Sequence, residues 1–252
     1  MMAADYMRAA EALPLVSLDA LLPEDGEVLV LAPHPDDEAL GCGGLLAALA
    51  AAGRPAGVLI LSDGAGSHPG SRRVPAPALR SMRAQEAARA VAALGLPAER
   101  LRLAGYPDGD VPASGPRLRE AVSTILDLRP RTILSPLGLD PHKDHEASWA
   151  IAQDAAQCSG ARLLAYPVWS WRYLYPEMGP GMPPLPPREW PGPPRGARLD
   201  ITAFRDTKLR AVGEHRSQTS DLIDDDPDGF RLSEAALAVL QRPFEVYLEP
   251  VA

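Results

Sequence analysis

A chain of 252 residues, 46% hydrophobic, with 33 acidic against 25 basic side chains and a formal net charge of -8, has the length for one generous α/β domain with a sizeable core. The acidic balance and the lack of any basic run exclude broad phosphate-backbone binding, so nucleic acid is not an expected partner. No window approaches the ~20 unbroken apolar residues of a membrane span, and Asp5, Arg8 and Glu11 interrupt the N-terminus where a signal peptide needs an apolar core, so a cytoplasmic protein without a membrane span is expected.

Residues 6–22 alternate apolar and polar positions at helical spacing and predict a lead-in helix, with Pro23 to Gly26 turning the chain into a first strand, Glu27 to Ala32. That strand is almost continuously apolar, the pattern of a strand covered on both faces in a parallel sheet. The alternation then repeats. A helix near 38–52 stops at Gly53, a strand runs from Gly57 to Ser62, and a Gly/Ser/Pro loop leads to a helix over 78–95. A strand at Leu101 to Ala104, a helix near 116–129, a strand at Thr132 to Ser135 and a helix near 145–157 follow. This order predicts a Rossmann-like α/β fold, an open and mostly parallel sheet flanked by helices, with its site at the C-terminal ends of the strands.

Beyond it, Ala165 to Tyr175 reads as a strand that sets Trp169, Trp171, Tyr173 and Tyr175 on one face. Residues 176–196 are too rich in proline and glycine for a helix or central strand and read as a surface excursion of the same single domain, forming a rim of the site. A helix near 202–215, an acidic turn at Ser220 to Asp228, a short helix opened by Ser233 and a strand at Phe244 to Leu248 close the chain. Cys42 and Cys158 lack metal-pair spacing and read as reduced, buried thiols.

Three of the strand ends carry polar groups: His34, Asp36 and Asp37 after the first, Asp63 and His68 after the second, and Asp140 to Glu146 after the fourth. Such ends open into one crevice, so the first and last segments converge despite about a hundred intervening residues. A borderline cation such as zinc takes imidazole nitrogen and carboxylate oxygen, and His34, Asp37 and His145 would make such a set. Glu38 reads as a cap of the following helix, and Gly41-Cys-Gly-Gly44 as tight packing of that helix on the sheet.

Pro33-His-Pro-Asp-Asp-Glu38 together with His142-Lys-Asp-His145 resembles the two signature motifs of the PIG-L-type, or LmbE-like, zinc-dependent N-deacetylases. Arg83-Ala-Gln-Glu86, Pro107-Asp-Gly109, Tyr166-Pro-Val-Trp169 and Lys208 to Gln218 also resemble family positions. The resemblance implies a hydrolase that removes acetyl from an N-acetylglucosamine-type sugar or glycoconjugate. It implies zinc on His34, Asp37 and His145, Asp36 as general base, a protonated His142 at the oxyanion, and Asp144 holding the His142 ring. Fe2+, Co2+ or Mn2+ suit the same ligands. Arg83, Asp108, Trp169 and His215 are the candidate substrate contacts, Arg83 standing against a solvated pairing with Glu86 or Glu120. The family's second motif usually carries proline where Lys143 stands, and its second loop commonly carries glutamate where Ala65 stands. An amidase acting on a larger N-acyl group or another C–N bond is the nearer alternative. A non-catalytic nucleotide-binding module is the remote one, and it lacks a Gly-x-Gly-x-x-Gly loop opening the helix. The sequence leaves a homo-oligomer open.

Overall fold

The apolar run Val28–Ala32 is buried along its whole length because helices cover both faces of the sheet that it joins. The computed structural model describes residues 1–23 and 25–250. Its elements, in order, begin with helix α1 (Ala3–Glu11), the two-residue strand β1 (Leu15–Val16) and the short helix α2 (Leu18–Leu21). Next come β2 (Val28–Ala32), α3 (Asp37–Ala51), β3 (Ala56–Ser62), α4 (Ala76–Ala93) and β4 (Leu101–Tyr106). Then follow α5 (Gly115–Leu128), β5 (Thr132–Pro136), α6 (Lys143–Ser159) and β6 (Arg162–Tyr166). After two 3-10 turns, Trp169–Tyr173 and Pro176–Met178, the chain ends with β7 (Gly196–Asp200), α7 (Arg205–Glu214), α8 (Arg216–Thr219), α9 (Glu234–Leu240) and β8 (Phe244–Leu248).

The strands form one open sheet in the order β1-β7-β8-β6-β5-β2-β3-β4. From β6 to β4 every pairing is parallel; β8 runs antiparallel to β6 and β7, and β1 parallel to β7. Successive residues of β2 and β3 serve opposite layers. Val28, Val30, Val58 and Ile60 pack with α1, α3, α4 and α7, whereas Leu29, Leu31, Leu59 and Leu61 pack with α5 and α6. Strand order reverses at β2, with β3 and β4 to one side and β5 and β6 to the other. Connections leaving β2 and β5 therefore diverge over adjacent strands, register Val30 to Leu134, and leave a crevice between them. That reversal brings residues 34–37 beside residues 140–145. No helix among the described residues is long and apolar enough to cross a membrane.

Gly41 shows why α3 is rich in small residues. A Cβ there would lie 2.2 Å from the ring of Tyr166, whose hydroxyl donates to Leu31 O at 2.6 Å.

Four readings of the sequence need correction. The predicted helix over 6–22 is two helices, because Pro14 disfavours helix at and before its own position and Ser17 starts α2 by accepting from Ala20 N. The strand predicted over 165–175 begins at Arg162 and ends at Tyr166, since the N–H groups of Val168, Trp169 and Ser170 donate to the Asp140 carboxylate rather than to a neighbouring strand. Its aromatic residues accordingly separate: Trp171 is buried with Arg242 over its ring at 4.3 Å, and Tyr173 meets Trp190 at 5.6 Å. The 176–196 excursion is pinned to α1 by the buried Trp190, which packs edge-on to Tyr6 at 4.7 Å, and its last residue opens β7, a strand the proline-rich composition hid. Cys42 is buried, but Cys158 is exposed.

Candidate active site

The β2–α3 junction makes a strained turn. Asp36 has φ 150° and ψ -28°, a backbone conformation that a residue with a side chain adopts at a cost of about 1–3 kcal/mol. Three buried side chains hold it there. Glu38 Oε2 accepts the Asp36 N–H at 3.0 Å, and Glu38 Oε1 meets His215 Nε2 at 2.8 Å. Arg83 donates from Nη2 to Pro35 O at 2.7 Å and Asp36 Oδ2 at 3.1 Å, and from Nη1 to Gly64 O at 2.9 Å. Glu38 thus does serve the helix N-terminus as a cap, while its second oxygen supports His215.

This turn sends adjacent carboxylates in different directions. Asp37 Oδ2 accepts the His34 N–H at 3.0 Å and lies 3.2 Å from His34 Nδ1 and 3.4 Å from His145 Nε2. Each imidazole is braced from its far side. His145 Nδ1 meets Asp140 Oδ2 at 3.0 Å, and His34 Nε2 meets Asp144 Oδ2 at 3.1 Å and Asp108 Oδ1 at 3.4 Å. Asp144 is itself anchored by the N–H groups of Gly109 and Val111, at 2.7 and 3.3 Å. His145 Nε2 is buried without a hydrogen-bond partner among the described residues.

The residues fit a metal ion. The 3.2 and 3.4 Å contacts of Asp37 Oδ2 match the edge, about 3.3 Å, of a tetrahedron of N and O ligands with metal bonds of about 2.0–2.1 Å. His34, His142 and His145 also bring ring nitrogens within 4.8 Å of one another, as do His34 Nε2 and the carboxylates of Asp108 and Asp144. A site on Asp37, His34 and His145 accounts for the orphaned nitrogen of His145, and one on His34, Asp108 and Asp144 does not. Asp108 and Asp144 therefore orient His34 from outside.

The charges agree. Burial opposes protonation of His34 and His145, but the carboxylates around them outweigh it, raising His34 well above its ordinary value and His145 to about 9. Burial resists ionisation of Asp37, yet the two imidazoles hold its carboxyl far below the usual range. Burial pushes Asp36 up to about 6 against the pull of Arg83. Burial, with His34 and His145 nearby, depresses His142 to about 4.

One expectation about His142 changes: the Asp144 backbone N–H, not its carboxylate, meets His142 Nδ1 at 3.2 Å. Because Nδ1 accepts, the proton of the neutral ring resides on Nε2.

Asp36, Asp37, His34 and His142 open on a cavity of about 290 Å³ whose wall includes Trp169 and Phe230, ring centroids 5.7 Å apart. Asp108 lies on this wall as well, its Oδ2 accepting from Gly66 N at 3.0 Å. Arg83 reaches the wall from a buried position rather than a solvated face. His215 does not: it is fully buried behind Glu38, so its expected substrate contact is replaced by a supporting one. Sequence reasoning assigned no role to Asp140, a fully buried carboxylate that joins His145 to the turn carrying Trp169. Its place two residues before His142 was visible; its four donors, three of them backbone groups of another segment, were not.

Residues 29–156, from β2 into α6, match the PIG-L family, described as GlcNAc-PI de-N-acetylase. The chain belongs to that family. This PIG-L chain is 29% identical over 196 residues to the diacetylchitobiose deacetylase of Thermococcus kodakarensis, covering 76% of its own length and 70% of the relative. To the 2'-N-acetylparomamine deacetylase of Streptomyces fradiae it is 33% identical over 159 residues, covering 56% of each. Its fold matches the N,N'-diacetylchitobiose deacetylase of Pyrococcus horikoshii with a TM-score of 0.66 at 19% identity, over 97% of this chain and 90% of the other. In this PIG-L chain both signature motifs lie at the β2–β5 crevice, and the residues that brace them come from α4, the α7–α8 junction and the loops after β4 and β5.

Proposed function

We propose that this PIG-L protein is a zinc-dependent N-deacetylase that hydrolyses the acetamide of an N-acetylglucosamine-type sugar or glycoconjugate to acetate and a free amine. The observation that carries the reading is the opposed orientation of Asp36 and Asp37: one carboxylate faces two imidazoles, and the other lines the cavity held by Arg83. Family membership and the names of the relatives support it.

His34, Asp37 and His145 would hold the ion, which, when bound, supplies Lewis acidity at the acyl oxygen and to water. Zinc suits two imidazoles and one carboxylate; Fe2+, Co2+ and Mn2+ also accept them. Asp36 takes the proton of the attacking water, its carboxyl raised by burial toward working pH. His142 directs Nε2–H at the carbonyl oxygen as charge builds there, donating a hydrogen bond as a neutral ring. As the C–N bond breaks, the proton held by Asp36 passes to the departing nitrogen, leaving acetate and amine. A nucleotide-binding role is disfavoured by Asp36, Asp37 and Glu38 at the start of α3, where a pyrophosphate site needs the opposite charge.

The test is amine release from N-acetylglucosamine, diacetylchitobiose and longer N-acyl glucosamine conjugates by protein loaded with each metal. Turnover of acetylated sugars that disappears on chelation and returns with zinc is expected. Turnover of only longer acyl groups identifies an amidase, and no metal uptake with no turnover overturns the proposal.

A further inference from the structure

The turn that replaced the expected strand gives the cavity a second kind of recognition. In an extended chain Arg172 would point away from Trp169; in a 3-10 turn, residues three apart share a face. Trp169 and Arg172 therefore both line the cavity, while Trp171 is buried in the core. Arg83, the other arginine on the wall, is paired with Asp36. Arg172 has no such partner among the described residues: its single hydrogen bond runs from Nη2 to Pro183 O at 2.8 Å. Nε is buried without a partner beside Gly179, where an added Cβ would come within 2.6 Å of it, so this glycine makes room for the guanidinium. Nη1 makes no hydrogen bond among the described residues. A half-buried guanidinium without a counter-charge is partly desolvated, and burial lowers its affinity for the proton that it carries. Arg73, Arg80, Arg89, Arg100 and Arg117 each meet a carboxylate, even though all five side chains are more exposed to water than Arg83.

We infer that Arg172, with Trp169 beside it, forms a subsite for an anionic substituent of the sugar conjugate, a carboxylate or a phosphate, placed away from the acetamide. The inference rests on the deacetylase reading for the identity of the sugar. The planar guanidinium matches either oxyanion, and the indole offers an apolar surface for ring or linker carbons. Arg83, nearer the proposed metal ligands, is compensated by Asp36, which leaves Arg172 as the arginine of the cavity wall without a carboxylate partner among the described residues.

Zinc-loaded protein is to be compared on three conjugates of N-acetylglucosamine: the 1-phosphate, an O-glycoside with a carboxylate aglycone, and the neutral methyl glycoside. One or both acidic conjugates should be preferred in kcat/KM by about ten- to a hundredfold, expressed mainly in KM and weakened by salt. The R172Q variant should collapse the preference toward one, and R172K should retain part of it, with melting temperatures verifying the fold. Calorimetric binding of the deacetylated amines, glucosamine 1-phosphate against methyl glucosaminide, reads the subsite without turnover. Equal handling of acidic and neutral conjugates, or an equal loss on both in R172Q, overturns the subsite and leaves Arg172 as a brace of the 179–183 loop. Selective amine binding that depends on Arg172, without turnover of any acetylated sugar, upholds the subsite and overturns the deacetylase reading. The arm that shows the preference identifies carboxylate or phosphate.

Discussion

Replacing Asp140 with alanine removes the acceptor of four hydrogen bonds at once: His145 Nδ1 at 3.0 Å and the N–H groups of Val168, Trp169 and Ser170 at 3.1, 3.1 and 2.9 Å. A buried donor left unpaired costs about 1–3 kcal/mol. Water admitted to the space of the lost carboxylate offsets part of this, so the low end for the three backbone donors, about 3 kcal/mol in all, is the working figure. For a chain of this size that lowers the melting temperature by about 6–12 °C. Loss of the far-side brace on His145 should weaken metal binding by about 10–100-fold, and the turn bearing Trp169 and Arg172 should loosen with it. D140N keeps an acceptor at one oxygen position and should fall between wild type and D140A. Scanning calorimetry with and without zinc, and competition of the metal against a chelator, give both quantities. A D140A protein that melts within about 2 °C of wild type and binds zinc with unchanged affinity would refute the reasoning.

D36N should lower amine release by about 10²–10⁴-fold while metal stoichiometry stays at the wild-type level, because Asp36 faces the cavity and not the imidazoles; metal analysis beside a rate measurement checks both. H215A leaves the Glu38 carboxylate buried without its partner at 2.8 Å and should destabilise by about 3 kcal/mol, read by urea unfolding; a change below about 1 kcal/mol would show that the pair does not hold the turn. Metal-stripped protein should lose stability on the alkaline side. His145 is raised from 6.5 to about 9, so its contribution is complete below pH 6.5 and lost as pH rises through 9, about 3 kcal/mol, whereas Asp36, raised to about 6, loses its contribution at lower pH. Melting curves between pH 6 and 10 should show the decline, and H145Q should show a smaller one, the remainder coming from His34, which is raised as well.

The chemistry at the β2–α3 junction is local in sequence and was legible there. Three carboxylates and an imidazole within five residues at the end of a continuous apolar strand need a purpose, and the distant His142 and His145 supply half of it. Continuous apolar runs alternating with helical patterns likewise specify a parallel, doubly covered sheet, since each run must be buried on both faces. Strand order was not written in any one segment. The reversal at β2 that sets β5 beside it is a property of the whole packing, and it decides which loops share the crevice. Residues 165–175 illustrate the same limit. Their alternating aromatic pattern favours a strand, but local preference is small beside three hydrogen bonds to a buried carboxylate, and those bonds come from Asp140, on a separate loop after β5. The resulting turn moves Trp171 into the core and brings Arg172 to the cavity. Residue types near the proposed metal ligands could be read from spacing; the contacts of Glu38, Asp140, Asp144, Arg172 and His215 depend on which partners the folded chain places opposite them, and only tertiary structure decides that.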